Sequence, residues 1–155
     1  MNAIDLLKKQ HREVRSLFKK IEKSSRAGER RKLLDQVTLN LEAHAAIEEE
    51  IFYPAVRETA SKKAQEMVAE AYEEHHVVKL VLEELPKADV EDEQFEAKMT
   101  VLSELVEHHV EEEEKEMFKA AKRVGAERLK ELGGEMMTRF EQMTGQGRSS
   151  QRRAA

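Results

Sequence analysis

The sequence predicts an all-α protein, an up-down-up-down four-helix bundle with a short fifth helix at its C-terminal side. Three observations carry this. Apolar residues recur at three- and four-residue intervals through five successive stretches, the period of one face of an α-helix. Charged residues make up 38% of the 155 and aromatics only 5%, a balance that favours long solvated helices over β-structure. The stretches are separated by short connections, and helices joined in that way pack as antiparallel neighbours.

The first stripe is Ile4, Leu7, His11, Val14, Leu17/Phe18 and Ile21, with Asn2 as N-cap and Asp5 near the positive end of the helix dipole. Ser24 to Gly28 end it. The second carries Leu33/Leu34, Val37, Leu41, His44, Glu48 and Ile51/Phe52, and Pro54 is expected to stop or kink it, because proline clashes with the carbonyl four residues back. After a break near Thr59 to Ser61, the third runs through Val68, Ala71/Tyr72, His75, Val78, Leu82 and Leu85 to Pro86. The fourth holds Phe95, Met99, Leu102, Leu105/Val106, His109, Glu113 and Met117. Gly125 sets off a shorter amphipathic segment with Leu129, Leu132, Met136, Phe140 and Met143, which Gly133 and Gly134 are expected to weaken. The expected organisation is thus a bundle over 1–124, a packed helix over 125–145, and a flexible basic tail over 146–155.

A net charge of −5 gives no general attraction to nucleic acid or to anionic membranes. With no cysteine, disulfides, thiolate zinc sites and iron–sulfur clusters are excluded, so any metal must take nitrogen and oxygen ligands. No apolar stretch approaches the ~20 residues of a membrane span. The N-terminus alternates apolar and charged residues, unlike a signal peptide, so a soluble cytoplasmic protein is the expectation.

An internal repeat organises the polar positions. His11-Arg-Glu-Val14 matches His75-His-Val-Val78, and Leu41-Glu-Ala-His44 with Glu48 matches Val106-Glu-His-His109 with Glu113, at offsets of 64 and 65 residues. Two similar helical hairpins would then face each other about a pseudo-twofold axis. All six histidines fall on the four bundle helices, and the inward ones (His11, His44, His75 and His109) are spaced by 33, 31 and 34 residues. Such intervals bring one histidine per helix to a similar depth. Register makes the choice between neighbours: the line through His76 runs on to Glu83 and Glu84, and that through His108 to Glu112, Glu116 and Lys119. Those through His75 and His109 stay apolar, so His76 and His108 belong to the flanks or surface.

Glu48 and Glu113 are selected because each stands four residues after an inward histidine, on the same helix face. The other glutamates read as solvated faces or as acceptors behind the histidines. Four imidazoles and two carboxylates projecting inward are the means by which bundles build metal sites. They would serve one octahedral ion, or two ions bridged by the carboxylates, each also held by two histidines. Iron, manganese or zinc suit such donors, and open positions suit oxygen or peroxide chemistry. Without metal, buried unpaired charges would cost several kcal/mol each. Tyr53, five residues after Glu48, lies at the edge of this site. It would donate a hydrogen bond, bind metal as phenolate, or simply pack at the bundle end with its hydroxyl in water. The methionines from Met67 to Met143 read as core filler.

The ordered set His11, His44-x-x-x-Glu48, His75, His109-x-x-x-Glu113 resembles the hemerythrin-like, HHE cation-binding family over nearly all of residues 1–120. The continuations Glu-Glu-Glu-Ile-Phe-Tyr-Pro and Glu-Glu-Glu-Glu-Lys-Glu-Met-Phe are also characteristic. The resemblance implies a non-heme di-iron centre with an oxygen bridge (Fe-O-Fe), in which His11, His44, His75 and His109 bind iron and Glu48 and Glu113 bridge. Two departures from the oxygen-carrying hemerythrins stand out. Lys79 occupies the place of a further histidine, and Glu114, with Glu113 before it, that of an aspartate. Fewer histidines leave the irons more open, which favours turnover of hydrogen peroxide or dioxygen over storage of an intact oxygen adduct. The first expectation is therefore catalase-like peroxide decomposition. The alternatives are oxygen or nitric-oxide binding for sensing or delivery, iron buffering, and a metal-free helical interaction module.

Overall fold

The computed structural model describes residues 1–59 and 61–145. Helix α1 spans Ala3–Lys23. Helix α2 covers residues 27–57 without a break: an α-helix Ala27–Ile47, a π-helical turn Glu48–Phe52 and a last α-helical piece Tyr53–Arg57. Helix α3 is Lys62–Glu84 and tightens into a 3-10 turn, Leu85–Lys87. Helix α4 covers residues 93–121 as Glu93–Glu112, a second π turn Glu113–Met117, and Phe118–Ala121. A 3-10 turn, Lys122–Val124, leads to α5, Ala126–Thr144. The basic tail expected over 146–155 lies outside the described residues. Among those described, no helix is long and apolar enough to cross a membrane.

Three of the helix starts carry side-chain caps: Asn2 accepts from the Asp5 N–H, Ser61 from that of Ala64 and Asp92 from that of Gln94. Pro54 does not end its helix, which continues to Arg57. The N–H of Tyr53 bonds to the carbonyl of Glu48, five residues back, so the hydrogen-bond ladder restarts just before the proline. There a missing N–H is tolerated as it is at a helix start. The proline is not the cause of the wide turn, because Phe118 bonds to Glu113 in the same way and is followed by Lys119.

Two apolar clusters occupy the bundle interior. One gathers Leu6, Leu7, Ile47, Phe52, Tyr53, Val68, Met117 and Phe118 with the inner face of α5. The other holds Val14, Ile21, Leu34, Val37, Leu82, Phe95, Leu102 and Val106 at the opposite end. Between them lies the one polar stratum of the core, with His11, His44, Glu48, His75, His109 and Glu113 all buried.

Helix α5 closes the end formed by the start of α1 and the π turn of α2, burying Leu129, Leu132, Met136 and Phe140. Its Arg139 grips Glu50 through Nε and a second nitrogen at 2.9 and 3.3 Å. The helix is unbroken through Gly133 and Gly134, and the two glycines differ in purpose. A Cβ on Gly133 would stand 2.3 Å from the Met1 carbonyl oxygen and 2.9 Å from the Ala3 nitrogen, whereas one on Gly134 meets nothing within 4 Å. Gly133→Ala is expected to destabilise the fold by on the order of 3 kcal/mol, because rigid backbone must move. Gly134→Ala is expected to stabilise it by about 1 kcal/mol through helix propensity. Urea denaturation of the two variants would check the opposite signs.

Candidate metal centre

Each bundle helix brings one histidine to the polar stratum, and each presents Nε2 to the centre. Glu48 Oε1 lies 3.2 Å from Nε2 of His44 and 3.2 Å from that of His75. Glu113 places Oε1 3.2 Å from His11 Nε2 and Oε2 3.2 Å from His109 Nε2. The donors divide into two overlapping sets, His11–His44–Glu48–Glu113 and Glu48–His75–His109, within each of which the ligand atoms lie within 4.8 Å of one another. Both carboxylates reach histidines of both hairpins. The sequence register thus placed all six residues in one site, with His76 and His108 on the outside.

The donors fit a metal ion. With bonds of about 2.1 Å from nitrogen and oxygen, neighbouring ligands at right angles stand about 3.0 Å apart. His11 Nε2, His44 Nε2, both oxygens of Glu48 and Glu113 Oε1 are buried yet find no hydrogen-bond partner. Polar atoms brought so close without hydrogen-bond geometry are arranged for a shared cation rather than for each other.

Three of the outward ring nitrogens are hydrogen-bonded in turn, and the fourth, on His75, is not. His44 Nδ1 lies 2.6 Å from Gln10 Oε1, His109 Nδ1 3.0 Å from Glu74 Oε1 and His11 Nδ1 3.2 Å from Glu114 Oε2. His75 Nδ1 is 3.4 Å from Glu49 Oε2. An Nδ1–H directed to oxygen leaves the Nε2 lone pair facing the centre, the form that binds metal. Lys79 Nζ donates to Glu49 at 3.1 Å and so steadies the carboxylate behind His75. Gln10 and Glu74 escaped the sequence reading. Their signal was present, since each immediately precedes an inward histidine at the same 64-residue offset.

The π turns explain Tyr53. On an α-helix, five residues rotate the chain about 140° beyond a full turn, which would carry Tyr53 away from Glu48. A π turn closes at i+5 and brings the two onto one face. Tyr53 is fully buried, and its hydroxyl donates to Glu113 Oε2 at 2.7 Å and stands 3.2 Å from Nε2 of both His75 and His109. The reading of a tyrosine with its hydroxyl in water is therefore corrected. Its repeat partner Phe118 stacks on His11, with ring centroids 6.1 Å apart and planes 3° from parallel. The two halves of the site consequently differ: one faces a phenol, the other a bare phenyl ring.

Electrostatics follow from this crowding. Burial alone would lower the histidines, but the adjacent Glu113 carboxylate raises His11 and His109, and Glu48 and Glu49 raise His75 to about 8. Burial would raise Glu48, yet the histidines crowded around it, His44 first, hold it well below the usual carboxylate range. Burial and then the Glu113 and Glu48 charges push the Tyr53 phenol well above its usual value. Histidines raised on folding stabilise the metal-free protein fully below pH ~6.5, and that contribution is lost as pH rises through about 8. The melting temperature of chelator-treated protein is accordingly expected to fall from pH 6.5 to 8.5. Metal uptake should show the opposite trend, tightening with pH and releasing protons, which calorimetry in buffers of different ionisation enthalpy would record.

Comparison with known proteins agrees with this geometry. The model of the hemerythrin HHE cation-binding domain matches residues 2–121. The uncharacterised protein Rv2633c of Mycobacterium tuberculosis is 32% identical over 149 residues, covering 94% of this chain and 89% of its own. A DNA nickase of Nostoc is 30% identical over 120 residues, 77% of this chain but only 33% of that protein. The crystal structure of a hemerythrin HHE cation-binding domain-containing protein from Mycobacterium kansasii, an Rv2633c homolog, superposes with a TM-score of 0.82 at 30% identity. It covers 98% of this chain and 93% of that one. The chain belongs to the hemerythrin HHE cation-binding family.

Proposed function

We propose that the protein holds two iron ions, with His11 and His44 on one, His75 and His109 on the other, and Glu48 and Glu113 bridging, and that it decomposes hydrogen peroxide. The two overlapping donor sets, which share the Glu48 carboxylate, carry the two-ion reading. Four imidazoles and two bridging carboxylates leave coordination positions unfilled, as a reactive centre needs. Bound iron would supply the change of oxidation state on which turnover of peroxide to oxygen and water depends; manganese or zinc could fill the same donors.

The protein's own groups do the rest. Gln10, Glu49, Glu74 and Glu114 orient the imidazoles. Tyr53 keeps a proton at its hydroxyl oxygen, within reach of the His75–His109 half, and Glu113 accepts that hydrogen bond. A cavity of about 40 Å³ touches all four histidines and is walled by Val14, Leu41, Val78, Val106 and Val110. Its small volume and mainly aliphatic wall suit a small neutral molecule better than a large reductant.

Iron-loaded protein should evolve oxygen from peroxide well beyond an equal concentration of free iron. Equal rates would sink the peroxidatic reading. The same apolar cavity favours a second reading, binding of dioxygen or nitric oxide without turnover. A reversible change in the visible spectrum when reduced protein meets either gas, without peroxide turnover, would select it. DNA nicking is not carried over from the Nostoc relative, because the match covers a third of that protein and a net charge of −5 opposes binding a polyanion.

A further inference from the structure

On the outer side of the α3–α4 pair lies a second cavity of about 340 Å³, different in character from the apolar one. His109 and Glu113 form part of its inner wall, while Glu70, Glu74, Glu111, Glu112 and Glu116 line it towards solvent. Lys115 is the single lysine or arginine on that lining, and Lys63 pairs with Glu116 at 3.1 Å. His108, whose side chain is 63% exposed, sits at its edge with Nε2 3.1 Å from Glu112 Oε1 and 3.8 Å from Glu74 Oε2. One donor atom from each of the three lies within 4.8 Å of the others. His108 and Glu112 repeat the His-x-x-x-Glu spacing of the buried pairs, displaced by one residue to the outside of the helix.

Two features tie this cluster to the interior. Glu74 is shared: Oε2 faces His108, and Oε1 accepts from Nδ1 of the buried His109 at 3.0 Å. Glu113, only 2% exposed and with Oε1 lacking any hydrogen-bond partner, lines the same cavity. Carboxylates therefore run from the cluster to the inner wall of this cavity, whereas the smaller cavity, although it touches the four histidines, is otherwise lined mainly by aliphatic side chains and carries one acidic residue, Glu42, beside Lys79.

We propose that His108, Glu112 and Glu74 form an accessory cation site at the mouth of this cavity, through which a divalent iron ion passes to the buried donors. The proposal rests on the reading of the core as a metal centre. One imidazole and two carboxylates suit a first-row divalent ion, and three exposed or half-exposed ligands hold it weakly enough to release it. The surrounding glutamates concentrate cations at the entrance, an effect that raises association rates about tenfold or more. A neutral peroxide or dioxygen molecule gains nothing from such a field, so the two cavities separate loading from turnover.

The test uses the full chain after metal removal, as wild type and as the His108→Ala/Glu112→Gln variant, neither residue being among the buried donors. Ferrous ion is added without oxygen, and protein-bound iron is followed over time. The variant should load about tenfold more slowly and reach the same final content of two ions per chain. Manganese(II) added to iron-loaded protein should show, by electron paramagnetic resonance, one weak extra site in wild type that is missing in the variant. Equal loading rates and equal manganese binding would overturn the proposal, as would a Glu22→Gln control, outside the cavity lining, that slows loading just as much. A wild type that never takes up two ions would overturn the reading of the core instead.

Discussion

Replacing Glu48 with alanine is expected to leave the protein without either metal ion, whereas His75→Ala should keep one. Glu48 is the one residue common to both donor sets, and its Oε1 is 3.2 Å from histidines of both hairpins. Losing an outer partner of a ligand weakens metal binding roughly 10–100-fold, and losing a ligand shared by two ions should exceed that for each. Elemental analysis after desalting should then give two, one and no ions per chain for wild type, His75→Ala and Glu48→Ala. Glu48→Ala retaining two ions would end the bridging assignment. Stability should move with content. An ion present at a thousand times its dissociation constant stabilises the fold by about 4 kcal/mol, on the order of 10 °C in melting temperature for a chain of this size. Loaded wild type should therefore melt on the order of 10 °C above its chelated form, and Glu48→Ala should melt alike with and without iron.

The bundle and its six inward histidines and glutamates were legible because both follow from helical period alone. Residues i and i+4 share a face, and the lines through His75 and His109 stay apolar where those through His76 and His108 do not. What escaped was whatever departs from that period. The turns at Glu48–Phe52 and Glu113–Met117 hydrogen-bond to i−5, and no residue type in Glu-Glu-Glu-Ile-Phe or Glu-Glu-Lys-Glu-Met prescribes this. The wide turn is a compromise between the helix and the crowded core. Tyr53 was consequently left at the edge by α-helical reckoning and turned inward by the fold. Pro54, expected to stop or kink the helix, does not end it, because the wide turn restarts the ladder just before the proline. Gly133 was misjudged differently: as a helix residue it is a defect, and only the passage of Met1–Ala3 across it makes a missing Cβ necessary.

Departure from the repeat also distinguishes the two halves of the site. The two hairpins correspond at every inward histidine and glutamate but part at Gln10 against Glu74 and at Tyr53 against Phe118. Both distinctive groups, the Glu74 carboxylate and the Tyr53 phenol, lie on the His75–His109 half, with Glu74 behind His109 and Tyr53 in front. A carboxylate behind an imidazole makes it a stronger donor, and a hydroxyl in front supplies a proton. If the proposed function holds, that half is the one where reaction is expected, while the His11–His44 half faces the aromatic ring of Phe118.

Tyr53→Phe is accordingly expected to lower oxygen evolution from peroxide about a hundredfold without lowering iron content. The phenol is fully buried, and its pKa, raised first by burial and then by Glu113 and Glu48, keeps it protonated throughout the neutral range. A neutral phenol 2.7 Å from Glu113 Oε2 and 3.2 Å from both ring nitrogens is placed to deliver its proton to the oxygen of peroxide that leaves as water, and to recover it through Glu113. General acid catalysis of this kind contributes roughly 10²–10⁴-fold, which sets the lower bound of the expected loss. Since none of the six donors changes, the variant should still take up two ions. In the metal-free state it should lose about 1–3 kcal/mol, because Glu113 Oε2 is left without its hydrogen bond. The solvent isotope effect separates the chemical role from the structural one: proton delivery by Tyr53 predicts an effect in wild type that shrinks in Tyr53→Phe, whereas a packing role predicts the same effect in both. Undiminished turnover in a fully loaded Tyr53→Phe protein would remove the phenol from the reaction.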